Sequence, residues 1–469
     1  MQATVAPMDR VTGPDPRNQR PVARFAWTLY DFANTIFTFA VVSGAMGLWL
    51  TDDTRFGEAT GQAVFAIAVV ASVSLNAAVS PILGAMSDRG GRRLPFLLAF
   101  TVMCIVPTAL IGLGGAVLGA VLFIVANFAY QAALIYYDAS IKLVSTPQTR
   151  GRLSGLGTGI GYCGTIFVGL IIALFRIPVE ARFLLSALLF GLFAIPVFVL
   201  VREARNPDAG RVNPAAAVAT AIGSWRQLGV TIQHAREVPG LPRFLLGRFF
   251  YSDAVNTLIV VMSVVAVRAV GLSVADANLV LLSLTVVAVF MSFVWGWLCD
   301  RVGPRKTLIA VLTSWAVGLV LGAGSISFNG VDAAGDPVPS VLGMTLFVAA
   351  GAILGSGLGG VQVADRVFMV RLSPPERLGE FFGIYGLVGK ASQVIGQVLY
   401  GALIFLLLDT LGTGAYQIGI LSLIVTMLVG LWLVWPVSDR WAGSGESHHH
   451  EDAPPPRLSP DRAPLSPRG

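Results

Sequence analysis

The chain alternates long apolar runs with short polar loops. The runs are about 20 residues long, the length a helix needs to cross a bilayer. Spans are predicted at roughly 25–50, 60–83, 95–113, 117–138, 155–175 and 183–201. After a polar stretch they resume at roughly 244–267, 277–298, 307–328, 341–364, 381–407 and 414–436. Barrel strands would instead need segments of about 10 residues alternating apolar and polar, a pattern not seen here. The expected fold is an all-α polytopic membrane protein with twelve transmembrane helices in two six-helix bundles. Its parts are an arm at 1–24, a first bundle at 25–201, a linker at 202–242, a second bundle at 243–437 and a tail at 438–469. Arm and tail are polar and Pro-rich and are read as disordered.

Composition agrees. The chain has 469 residues, of which 55% are hydrophobic and 12% charged. Soluble proteins carry about 25% charged residues, so a string of soluble domains is excluded. The net charge of +6 points to a membrane rather than to nucleic acid, because of where the charges fall. Arg55, Arg176, Arg182 and Arg268 lie in or beside loops of one side, and Arg248 and Lys390 lie within spans. The rest of the 32 Lys and Arg lie on the other side. The positive-inside rule puts that other side, with both termini and the linker, in the cytoplasm. The first run is long and closes on no small-residue cleavage site, so it is read as a span and not as a cleavable signal. Cys104, Cys163 and Cys299 are spaced for neither a disulfide framework nor a metal site. The run His448–His450 is read as a solvated feature of the tail. No metal and no cofactor is expected.

The two halves repeat one another. Tyr30-Asp31-x-x-Asn34-Thr35 in the first span matches Asp253-x-x-Asn256-Thr257 in the seventh, where Tyr251 stands two positions before the acid. Gly84-Ala-Met-Ser-Asp88-Arg89-Gly-Gly-Arg92-Arg93 follows the second span, and Gly296-Trp-Leu-Cys-Asp300-Arg301-Val-Gly303-Pro-Arg305-Lys306 follows the eighth. Asp138, Pro147 and Arg150 are matched in spacing by Asp365, Pro374 and Arg377. Such parallel duplication is how many transporters build a central cavity.

The doubled Gly-x-x-x-Asp-Arg loop resembles the signature loop of the major facilitator superfamily, over about Phe25 to Trp435. Within it, Trp27-x-x-Tyr30-Asp31-Phe32-Ala33-Asn34, Gly151-Arg152-Leu153-Ser154-Gly155, Glu380-Phe381-Phe382-Gly383 and Gly389-Lys390-Ala391-Ser392 resemble the vacuole-effluxer-like (autophagy-related) branch and its bacterial relatives. The resemblance implies the major facilitator fold and export of small solutes, with amino acids the best-known cargo. It also places spans one and seven beside the central cavity. The short first outer loop and compact linker depart from the fungal pattern and favour a bacterial inner (plasma) membrane.

Asp31 lies seven residues past Arg24, roughly 10 Å along a helix at 1.5 Å per residue. Asp253 stands similarly in the seventh span. A charge there costs about 2.5–3.5 kcal/mol or more, so each acid needs compensation. Asn34 and Asn256 follow at i+3, on the same helical face. The expected substrate- or proton-binding set is Asp31, Asn34 and Tyr30 with Asp253, Asn256 and Lys390. The alternative is structural pairing, for example of Asp31 or Asp253 with Arg248. Lys390 is equally suited to pairing with an acid or to receiving a substrate carboxylate. Asp88, Arg89 and Arg92, and Asp300, Arg301 and Arg305, are read as a gate between the halves, since an acid there can accept bonds from a helix N-terminus or an arginine. Asp138 and Asp365 are expected near the cytoplasmic face as partners of those loops.

Gly155, Gly157, Gly159, Gly161 and Gly164, and Gly351, Gly355 and Gly359, form small-residue faces on which helices approach closely. No Gly-Lys-Ser/Thr follows a Gly-rich run, so ATP drive is not supported. The stretch 215–237 is read as a helical tether rather than a membrane-surface helix. The expected activity is secondary transport by alternating access, proton-coupled export of amino acids being the leading form and a sugar or drug carrier or a transport-inactive sensor the alternatives. An enzyme is not expected. The expected partners are a small-molecule substrate, protons and the bilayer, with no nucleic acid and a monomeric state.

Overall fold

The computed structural model describes residues 15–90, 92–203, 225–331 and 337–438. Residues 1–14 of the arm expected to be disordered (1–24), residues 439–469 of the tail (438–469) with the His448–His450 run, and linker residues 204–224 lie outside them.

Among the described residues, twelve helices are long and apolar enough to span a membrane. The first span is built from α1 (Pro21–Phe37), a π-helical stretch (Thr38–Ser43) and α2 (Met46–Thr51). It is followed by α3 (Gly57–Gly90), α4 (Leu94–Leu110), α5 (Ala116–Val144), α6 (Arg150–Leu174) and α7 (Val179–Leu200). The linker contains α8 (Trp225–Glu237). The second half comprises α9 (Leu241–Arg268), α10 (Val274–Val302), α11 (Pro304–Ser327), α12 (Val341–Leu372), α13 (Leu378–Leu411) and α14 (Gly414–Val434). A two-residue antiparallel ladder, Gly330–Val331 with Pro337–Val338, ties the loop before α12.

Proline opens α1, α4, α9 and α11 in the first turn, where its missing N–H is unpaired in any case. Two helices run on past the ends that the apolar pattern predicts. The structure carries α12 to Leu372 and α5 to Val144, past the sequence-predicted ends at 364 and 138. The arm is also ordered earlier than expected. Residues Pro16–Gln19 form a 3-10 turn, and buried Asn18 exchanges bonds with the Arg202 backbone, at 2.6 and 2.8 Å. The break after α1 is braced by Arg182, whose guanidinium donates to the Gly44 carbonyl at 2.7 Å.

Within the first half α1 packs on α6 and α7, and α5 on α3 and α4. Within the second half α12 packs on α10 and α11, and α9 on α13 and α14. The halves meet where α3 crosses α13 and where α6 crosses α10. Both crossings are glycine-mediated. A methyl at Gly84 would strike the Gly379 carbonyl, and one at Gly383 would come within 2.6 Å of Pro81 Cα. A methyl at Gly151 would stand 2.7 Å from the Gly296 carbonyl oxygen. These contacts lie at the end of the bundle that carries the signature loops, called here the motif side. There Asp300 accepts from the N–H groups of Gly151 (2.6 Å) and Arg152 (2.9 Å), so an acid from the second half caps a helix of the first.

A side chain at these crossings has nowhere to go. Gly383→Val is expected to destabilise the motif-side-closed form by about 1–3 kcal/mol through overpacking. Spin-label distances across the motif-side ends of α3 and α13 should lengthen accordingly, and an unchanged distance would show that the seam yields without opening.

Candidate functional site

A central cavity of about 480 Å³ lies between the halves, lined by α1, α5 and α6 on one side and by α9, α12 and α13 on the other. It runs from Asp138, Arg248, Asp365 and Arg366 to Phe39, Ser43 and Ile259, away from the motif side.

Arg366 holds the floor together. It belongs to α12, yet its ion pairs are with the first half: Nε stands 2.9 Å from Asp138 Oδ1, and Nη1 stands 3.6 Å from Asp31 Oδ2. The guanidinium also lies 5.7 Å from the Trp27 ring and 5.6 Å from the Tyr137 ring, within cation–π range. Those rings stack on each other at 4.5 Å, and the Trp27 indole donates to Ser140 Oγ at 2.9 Å. One cation thus faces two carboxylates. The Asn34 amide and Tyr137 hydroxyl lie beside Asp31 without a well-formed hydrogen bond, and the Thr158 hydroxyl is likewise buried and unsatisfied. Unsatisfied buried polar atoms on a cavity wall are positions for water or a ligand.

The second half has its own pair. Arg248 forms an ion pair with Asp365 and lies 3.4 Å over the Tyr385 ring. Asp365 also accepts from the hydroxyls of Tyr251 (2.7 Å) and Tyr385 (3.1 Å). A neutral bond crosses between halves higher up, from Gln362 Nε2 to Tyr162 Oη at 3.0 Å. Beside the cavity, sharing Ile259 and Leu358 with it, lies an apolar annex of about 270 Å³ bounded by Met262, Leu284, Trp315 and Leu354.

Of the residues expected to bind, Asp31, Asn34 and Asn256 are on the cavity wall. Tyr30 is not. It is fully buried, bonded to Thr101 Oγ1 at 2.6 Å and stacked on Tyr137 at 5.0 Å, because successive helical residues point about 100° apart. Asp253 also faces elsewhere, toward α13 and α14. Its carboxylate fits against Gly396, which has no side chain to oppose it, and accepts from Thr257 Oγ1 at 3.3 Å with Thr426 beside it. Lys390 is half-buried on α13 within electrostatic range of Arg248 and Asp138, but is not among the residues lining the cavity. The cations on the wall are Arg366 and Arg248.

The gate residues divide as well. Asp300 is at the seam. Asp138 and Asp365 are not partners of the signature loops but part of the cavity floor, since α5 and α12 run on past them and set them deep in the bundle. Arg301 lies over Trp297 of its own helix, 4.1 Å from the ring. Arg305 donates to the Trp435 carbonyl at the end of α14, in its own half. Arg92 is exposed on a peripheral pocket of the first half, away from the seam. The side chains of Asp88 and Arg89 lie outside the described residues. Arg366 is a central group that the sequence reading does not pick out, because the predicted span ends at 364 whereas the helix runs to Leu372; the adjoining Asp365-Arg366 pair is the available signal.

Comparison with known proteins places this geometry. The profile described as "Vacuole effluxer Atg22 like" matches residues 140–443. The uncharacterized MFS-type transporter YxiO of Bacillus subtilis is 25% identical over 87% of this chain and 92% of its own length. Autophagy-related protein 22-1 of Penicillium rubens is 26% identical over 54% of this chain and only 44% of its own length. In structure, a bacterial homologue of the iron transporter ferroportin in an outward-facing state superposes with a TM-score of 0.67 at 13% identity, over 89% of this chain and 99% of that one. The proton:xylose symporter XylE gives 0.62 at 14% identity, over 90% and 96%. The solved structures speak for the fold alone. With the family profile covering most of the chain, the protein belongs to the Atg22-like vacuole effluxer family, a branch of the major facilitator superfamily of small-solute transporters.

Proposed function

We propose that the chain exports small zwitterionic solutes, amino acids foremost, across a bacterial plasma membrane, driven by a proton carried at Asp253. The observation that carries this reading is the paired charge of the cavity wall, where Arg366 stands between Asp31 and Asp138. A zwitterion brings one charge of each sign. Its carboxylate can take the place of an acid on Arg366 while its ammonium takes the place of Arg366 on Asp31 or Asp138. No unpaired charge is then left in the slab, which would otherwise cost at least about 2.5–3.5 kcal/mol. The apolar annex beside Ile259 and Leu358 offers room for an uncharged side chain.

The same exchange links cargo to movement. Arg366 and its two acids lie on different halves, so a ligand that loosens their pairs loosens the halves. With the basic, motif side in the cytoplasm, the form described here is sealed inward, and its cavity is the one from which exported cargo leaves. Asp253 supports the coupling role because its nearest polar partners among the described residues are hydroxyls, Thr257 and Thr426. A bound proton removes its charge, whereas Asp31 has Arg366.

Three measurements test this. Thermal unfolding of the purified protein against amino acids, sugars and cationic drugs should show stabilisation by amino acids with apolar side chains, about 2.7 kcal/mol at a hundred times Kd. Asp31→Asn together with Asp138→Asn should abolish that shift. A sugar or drug that stabilises both proteins equally would overturn the substrate reading. In proteoliposomes, Asp253→Asn is expected to keep substrate counterflow but lose accumulation driven by a pH gradient, and retention of both would leave facilitated diffusion. Arg366→Ala should cost about 3–5 kcal/mol, because two acids lose their cation. Adding Asp31→Asn and Asp138→Asn should recover part of that loss.

A further inference from the structure

Away from the central cavity, the motif-side ends of α4 and α7 enclose an open pocket of about 510 Å³. Two sorts of side chain line it. Arg92 and Arg202 are exposed at its polar end. Leu98 and Val199, 45% and 66% exposed, form its apolar wall. Its height is fixed by the spans, since the third begins at Leu94 and the sixth ends at Leu200. The arginines therefore stand at the headgroup level and the apolar wall at the level of the acyl chains.

The acid in this pocket is already engaged. Glu203 Oε2 accepts from the N–H groups of Arg93 (2.6 Å) and Leu94 (2.8 Å), capping α4, and burial pushes its carboxyl above the ordinary carboxylate range. Asp15, near Arg202, is bonded to Arg17. The net local charge is left to the arginines. The repeat sharpens the point. Arg305, at the place in the second half that matches Arg93, donates to the Trp435 carbonyl and so ties the equivalent helix ends together. In the first half Glu203 does the tying, and Arg92 and Arg202 face outward.

We infer that the pocket between α4 and α7 is a binding site for an anionic phospholipid of the motif-side leaflet, its phosphate between Arg92 and Arg202 and an acyl chain along Leu98 and Val199. Basic pockets between transmembrane helices hold acidic headgroups in this way. The site is separate from the cargo cavity and joins the first span's entry turn, through Asn18 and Arg202, to the third and sixth spans.

The test is native mass spectrometry of the full chain, titrated with phosphatidylglycerol, phosphatidylcholine and soluble glycerol phosphate. One phosphatidylglycerol should bind in preference to phosphatidylcholine. Arg92→Gln with Arg202→Gln should weaken it roughly thirty-fold, at the strength of two arginines near an anionic surface. Both side chains are exposed, so folding should survive. The same charge removed at Arg301 and Lys306 should leave that adduct in place, and Leu98→Asp should weaken it without touching a charge. Equal loss in both double variants would reduce the effect to general surface charge and overturn the site. Binding of glycerol phosphate as strong as that of the lipid would overturn the role of the apolar wall.

Discussion

A charge inside a bilayer must be matched where it stands, and in this protein the match is made across the two halves. Arg366 rides on α12, while Asp31 and Asp138 ride on α1 and α5. The pairing does two things at once. It makes the buried acids tolerable, and it makes the relative placement of the halves a condition of that tolerance. The aromatic niche of Trp27 and Tyr137 sets the guanidinium's position. The second pair, Arg248 with Asp365, is internal to one half and is locked by Tyr251 and Tyr385. One pairing spans the halves and the other lies within one half.

The glycine crossings supply the complement. Charge pairing near the floor needs the motif-side ends of the helices to come together, and Gly84 against Gly379, with Gly151 against Gly296, lets backbones touch where side chains would hold them apart. Asp300 then finds the amides of Gly151 and Arg152 within reach. Closure is thus maintained by backbone contact and a helix cap. Neither needs a long side chain to be frozen in place, so neither carries that entropic cost.

Much of the fold was legible because hydrocarbon thickness imposes a length on each apolar run and duplication prints the motifs twice. The candidate site was legible only in part. Asp31, Asn34 and Asn256 declared themselves as polar residues on one helical face, and they do line the cavity. Tyr30 and Asp253 shared the same motif but point into packing. A motif records residue identity, and rotation about the helix axis is set by neighbours far along the chain. Asp365 and Asp138 were placed too near the surface. The isolated charges Asp138, Asp365 and Arg366 read as span ends, yet both helices continue past them by about two turns. The pairing of Arg366 with Asp138, 228 positions away by number, leaves no local trace at all.

The linker helix gives the architecture one more property. α8 lies against both α3 and α13, with His234 Nδ1 2.9 Å from Glu380 Oε1 and Arg377 3.7 Å from Glu237. It rests beside the crossing that must part when the motif side opens. Its two side-chain contacts hold it to the second half, so parting the motif side also means separating this helix from α3.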